Sequence, residues 1–145
     1  EVPALVWQLD RLLPQLDFLS IGTNDLLQFF FAADRGNPMI GQRYDLLSLP
    51  SLRLMSHVRE VCQQYDVPVS ICGELGSSNL EAMTLLGLGF HSFSVPSATV
   101  GPVKRMVRST NLERLQNAVR EALANPSGDL RARLHAIADA QGVKL

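Results

Sequence analysis

A chain of 145 residues, 46% hydrophobic and 19% charged, holds enough apolar material for one globular domain with a real core, so disorder is excluded and no second domain is required. Its 13 Lys and Arg balance 14 Asp and Glu to a net charge of -1, which leaves no basic field for a nucleic acid and points to small molecules and proteins as partners. No apolar run reaches the ~20 residues of a membrane span, and the first residues lack the order of a secretory signal, so a cytoplasmic protein without a membrane partner is expected.

In chain order, Leu5, Leu9, Leu12, Leu13 and Leu16 fall at helical spacing and predict one amphipathic helix over Pro3 to Leu16. Phe18-Leu19-Ser20-Ile21 reads as a short buried strand, and Gly22-Thr23-Asn24-Asp25 as the loop it feeds. The same order returns with a helical stripe through Leu54, Met55, Val58, Val61, Cys62 and Tyr65, a strand over residues 67–72, and Gly73. A third round starts at Ser78, whose spacing to Glu81 is that of a capping box, passes Leu80, Met83 and Leu86, and reaches a strand over residues 91–95. Beyond Gly101 a short helix is expected through Val103, Met106 and Val107. Another begins at Thr110 and Glu113 and runs to Asn125-Pro126-Ser127-Gly128. A last one, capped by Ser127, carries Leu130, Leu134 and Ile137 and stops near Gly142.

Short strands alternating with helices imply an α/β fold with a parallel sheet. Three strands are few for such a sheet, and a complete (β/α)₈ barrel takes about 250 residues. Two architectures therefore stand: the C-terminal portion of a TIM-type barrel, about three strand-helix units followed by C-terminal helices, or a self-contained three-layer α/β domain over residues 1–145.

In parallel α/β folds the loops leaving the carboxyl ends of the strands converge on one face. Here those loops carry Ile21-Gly22-Thr23-Asn24-Asp25-Leu26, then Asp34-Arg35-Gly36-Asn37, then Cys72-Gly73-Glu74-Leu75, and the chain opens on Glu1-Val2-Pro3. This ordered set resembles the phosphoenolpyruvate-binding barrel of the phosphoenolpyruvate-protein phosphotransferases, over nearly the whole chain. Each tetrapeptide alone is weak; their order and separations together are specific. Leu75 favours this family over pyruvate phosphate dikinase and phosphoenolpyruvate synthase, which usually have a histidine after the Cys-Gly-Glu triplet. Where the family commonly continues Ala-Gly-Asp, this chain has Gly76-Ser77-Ser78.

The resemblance implies a transfer of the phosphoryl group of phosphoenolpyruvate to an enzyme histidine, relay to a histidine-containing phosphocarrier protein, and release of pyruvate. That histidine lies in a domain this sequence does not include, so the chain alone is expected to be inactive. Glu1 and Asp25 match the family's two magnesium carboxylates, consistent with the preference of Mg²⁺ for oxygen ligands. Asn24, Asp25 and Arg35 match substrate-binding positions: the Asn24 amide suits a phosphoryl oxygen, and a planar guanidinium at Arg35 donates two parallel hydrogen bonds. Cys72 matches the proton donor that turns the enolate into pyruvate, a role that suits a thiol, since a free thiol is mostly protonated near neutrality. In the family this barrel domain also forms the homodimer.

Plainer explanations stand beside these. Asn24 and Asp25 also suit a turn or a helix cap, Cys72 a strand end, and Arg35 a helix C-terminus. Cys62, on its apolar stripe, is expected in the core. The two cysteines form no disulfide framework and match no zinc spacing. His57, His91 and His135 lack the context of the phosphorylated histidine. Trp7, Phe18, Phe29, Phe30 and Phe31 lack interleaved basic residues and are expected in core or interface. The rival from another class is a non-catalytic dimerisation or regulatory module. A partial barrel leaves sheet edges open, so self-association of the chain is expected.

Overall fold

The computed structural model describes residues 1–34, 36–40 and 45–145. Strands β1 (Leu19–Gly22), β2 (Val69–Cys72) and β3 (Ser92–Ser94) form a parallel sheet in the order β1-β2-β3, accompanied by eight α-helices among the described residues. The α/β expectation is met. β1 is shifted by one residue from the expected run, while β2 and β3 are shorter than theirs; β2 starts after Pro68, which has no N–H for the ladder but whose carbonyl accepts the Leu19 N–H at 2.8 Å. Alternate strand residues point to opposite faces. Ile21 and Ile71 are buried against the helices, while the other face carries two cross-strand rows: Ser20, Ser70 and Ser92, then Gly22, Cys72 and Ser94.

The first segment departs from the single helix expected. It is two short turns, α1 (Pro3–Val6) and α2 (Leu9–Leu12), followed by a 3₁₀ turn at Leu13–Gln15. Pro14 lacks the N–H that an α-helix would direct to the Asp10 carbonyl, so the last turn tightens instead. Val6, Leu9 and Leu13 still face the core, whereas Leu5 and Leu16 are exposed. A second departure follows β1. Helix α3 (Thr23–Phe30) begins immediately after Gly22, so Thr23, Asn24 and Asp25 form its first turn rather than a loop. Short polar residues suit a helix start, where backbone N–H groups lack intrahelical partners, and Asp25 complements the positive end of the dipole.

Helix α4 (Leu49–Gln64) starts ahead of the expected stripe, with Pro50 in its first turn, and buries Leu54, Met55, Val58 and Cys62. Helix α5 (Asn79–Gly87) is buried from Leu80 to Gly87. The capping box at its start is not formed: the Ser78 hydroxyl donates to the Glu81 carboxylate instead of accepting from the backbone. Helix α6 (Ser97–Arg108) is longer than expected because it runs through Gly101 and Pro102, and the proline forfeits only one intrahelical bond near the helix start. Helix α7 (Leu112–Ala124) is capped by Asn111, which accepts the Arg114 N–H at 3.1 Å. Thr110 instead donates to the Met106 carbonyl at 2.8 Å. Helix α8 (Leu130–Gln141) takes Asp129 rather than Ser127 as its cap and ends at Gly142 in the left-handed region, as expected.

The core has two clusters. One joins α2, the following 3₁₀ turn, β1, α3, α4 and β2 through Leu9, Leu13, Ile21, Leu27, Met55, Cys62 and Ile71, and takes in Leu85 of α5. The other joins α5 to α8 through Met83, Met106, Leu115, Val119, Leu134 and Ala138, and takes in Leu52 of α4. Leu88 and Phe93 pack against both. Trp7, Phe18 and Phe29 are more than half exposed, so the aromatics of the first thirty residues are not core, although Phe31 packs against the first cluster. The outer side of β1 has no paired strand among the described residues.

Helices α5 and α7 touch most closely at Gly87, where an added Cβ would lie 2.6 Å from Val119 Cγ2 and 3.2 Å from Leu115 Cγ. Gly87→Ala is therefore expected to destabilise the chain by about 1–3 kcal/mol through overpacking, even though alanine favours a helix. A lower urea midpoint at unchanged slope checks this; an equal or higher midpoint refutes it.

Candidate functional site

The parallel register sets Gly22, Cys72 and Ser94 side by side, so the carboxyl ends of all three strands reach one level. The Cys72 thiol donates to the Ile21 carbonyl of β1, with sulfur 3.2 Å from the oxygen. Gly73 then turns the chain with φ of 112°, a region that a side chain would strain. The turn rests on the start of α3: buried Thr23 donates its hydroxyl to the Cys72 carbonyl at 3.2 Å, and a Cβ at Gly73 would sit 3.6 Å from the Asn24 side-chain nitrogen. Asn24 and the Cys72-Gly73 pair, separate in sequence, are thereby brought together.

Glu1 reaches the same end of the sheet. A Cβ at Gly22 would come within 2.9 Å of Glu1 Cγ and 2.8 Å of Glu1 Oε1, so glycine at 22 makes room for the glutamate. Half-buried Asp25 follows three residues later in the first turn of α3. Two carboxylates therefore stand at the carboxyl end of β1. They are hard oxygen donors of the kind a divalent cation takes, although the described residues include no group of three or more His, Cys, Asp or Glu side chains built as a metal cage. Arg35 lies outside the described residues. Around it, Asp34 Oδ1 accepts the Gly36 N–H at 2.8 Å and Asn37 Oδ1 accepts the Met39 N–H at 2.9 Å, which accounts for these two as turn formers. Glu74 is exposed in the 3₁₀ turn Glu74–Ser77.

Other polar groups gather elsewhere. His57 and His91, with Arg53, Arg59 and Arg120, line a cleft of about 700 Å³ between α4 and α7, toward the amino end of β3. The His57 ring also packs on Trp7, 5.3 Å between centroids. His135 is exposed on α8. Cys62 is in the core as expected; burial pushes its thiol up from the ordinary value, opposed in part by the Arg59 guanidinium. Sequence reading passed over Thr23, although it sits inside the Gly22–Asp25 run. It also missed the contacts of Arg131 with Asp45 and Glu81, for which residues so far apart give no local signal.

The two thiols should react very differently. Cys72 is partly accessible and Cys62 fully buried, so a thiol-alkylating reagent is expected to label Cys72 first and Cys62 only when the chain opens. Peptide mapping by mass spectrometry checks this; equal labelling of both in the folded chain refutes it.

The model of the phosphoenolpyruvate-binding domain of phosphoenolpyruvate-utilising enzymes matches residues 1–112. The chain is 31% identical over 144 residues to a "phosphoenolpyruvate-dependent phosphotransferase system" protein of Salmonella typhimurium, covering 99% of this chain and 19% of that protein. It is 38% identical over 128 residues to the phosphoenolpyruvate-protein phosphotransferase of Borreliella burgdorferi, covering 88% and 22%. Multiphosphoryl transfer protein 1 of Escherichia coli is 34% identical over 122 residues, covering 84% and 15%. This chain thus spans about a fifth of the length of its curated relatives. The matched region and these relatives place it in one family: the chain belongs to the phosphoenolpyruvate-utilising enzymes, through their phosphoenolpyruvate-binding domain.

Proposed function

We propose that this chain is the carboxyl-terminal part of a phosphoenolpyruvate-protein phosphotransferase and supplies one side of a magnesium-phosphoenolpyruvate site at the mouth of a (β/α)₈ barrel. The observation that carries this reading is the meeting of Asn24 with Cys72 and Gly73 at levelled strand ends, beside Glu1 and Asp25. The barrel itself is supported by the parallel strands alternating with helices and by the polar residues that follow the carboxyl ends of the strands.

In this reading Glu1 and Asp25 hold the magnesium ion, which when bound neutralises phosphoryl charge and orients the group for in-line transfer. Asn24 donates its amide N–H to a phosphoryl oxygen. Arg35 adds a two-pronged donor, which stabilises charge as the phosphoryl group departs for a histidine in another part of the enzyme. The enolate left behind needs a proton on its methylene carbon, and Cys72 provides it, becoming a thiolate as pyruvate forms. Because the thiol donates to the Ile21 carbonyl, it must turn away from that acceptor to reach the substrate. The phosphocarrier protein, a homodimer and a cytoplasmic setting belong to the same proposal.

The test uses the full-length enzyme that carries this segment, with magnesium phosphoenolpyruvate. Cys72→Ala is expected to lower pyruvate formation by about 10²-fold or more while ligand binding persists. Unchanged pyruvate formation would make Cys72 structural and end the mechanism. Arg35→Lys keeps the charge but loses the fork, and is expected to weaken phosphoenolpyruvate binding by about tenfold in a titration; wild-type affinity would remove Arg35 from the site.

A further inference from the structure

Helix α8 lies beyond the region matched by the family model, yet one of its side chains reaches both polypeptide segments that lead away from the strand ends. Arg131 donates from Nε to Asp45 Oδ2 at 3.1 Å and from Nη2 to Asp45 Oδ1 at 2.8 Å, and Nη2 also donates to Glu81 Oε1 at 2.9 Å. Each carboxylate is tied in turn to its own segment. Asp45 Oδ1 accepts the Leu47 N–H at 2.9 Å, and the Asp45 carbonyl accepts the Ser51 hydroxyl at 2.8 Å, which fixes the entry to α4. The other oxygen of Glu81 accepts the Ser78 hydroxyl, at the close of the turn that begins after Cys72 and Gly73.

Among the described residues Glu81 is the one charged side chain that is buried, 8% exposed, whereas Arg131 and Asp45 are each 42% exposed. A buried carboxylate is costly without a partner, so the guanidinium is held where Glu81 needs it, and that in turn fixes where Asp45 sits. Acceptance of its hydrogen bonds by Asp45, and then by Glu81, pushes the guanidinium pKa up from its already high value, opposed in part by burial. An isolated helix-surface pair would contribute little; a fork shared between a buried and a half-exposed acid is geometrically determined.

We infer that Arg131 is a positioning residue for the candidate site: it sets the 74–78 turn that follows Cys72 and, through Asp45, the entry to α4. This rests on the reading of Cys72 given above, but its test needs no substrate, so either can fail without the other. In the full-length enzyme that carries this segment, read by peptide mapping, Arg131→Ala is expected to raise the alkylation rate of Cys72 about fivefold, together with amide exchange over residues 74–78. Buried Cys62 reports global opening, and its labelling should stay slow. Arg131→Lys, with one cationic nitrogen in place of the fork, should fall between the two. Unchanged labelling of Cys72, or Cys62 labelling that rises in step with it, would overturn the inference. If Arg131→Ala does not fold, the lysine variant is read alone by the same criteria.

Discussion

The parallel pairing of β1, β2 and β3 is the constraint on which the rest depends. In a parallel ladder all strands run the same way, so whatever follows each strand emerges on one side. Because Gly22, Cys72 and Ser94 are paired in register, a slip of one residue would turn Cys72 toward the helices and carry Gly73 out of reach of Thr23 and Asn24. Burial of Ile71 beside Ile21 opposes that slip, since it would turn the Ile71 side chain to the polar face. Core packing and site geometry are thus two results of one alignment.

Much of this was legible in the sequence where the signal is local. The α/β rhythm, the core position of Cys62, the stop at Gly142 and the sequence runs at the strand ends all follow from residue types at short spacing. The errors are also local in origin. Thr, Asn and Asp serve a turn and a first helical turn equally well, and only the direct passage from Gly22 into α3 decides between them. Leucine periodicity alone passed over Pro14 and so carried the helix across the 3₁₀ turn at Leu13–Gln15. Ser78 and Glu81 have capping-box spacing, yet Arg131 draws the glutamate to a different use. That competition comes from a residue fifty positions away, which no window of sequence contains.

The two sides of the site are made by different means. On the β1 side glycine supplies space: Gly22 admits Glu1 because it has no side chain. On the β2 side glycine supplies conformation: Gly73 takes a positive φ that brings the backbone over Asn24. Neither glycine touches a ligand in the proposed chemistry, but each decides which acidic, amide or thiol group stands at the strand ends.

The division of the core into two clusters has a consequence for how the molecule comes apart. Leu88 and Phe93 pack against both clusters, Leu52 of α4 sits in the second and Leu85 of α5 in the first, so the layer of α5 to α8 interlocks with the sheet layer through two helices as well as the Arg131 fork. Interlocked layers favour a single concerted transition over the loosening of one layer while the other keeps its hydrogen-bond protection. Both cysteines and the strand ends lie on the sheet side of that joint, so the alignment of the site is tied to the packing of the other layer.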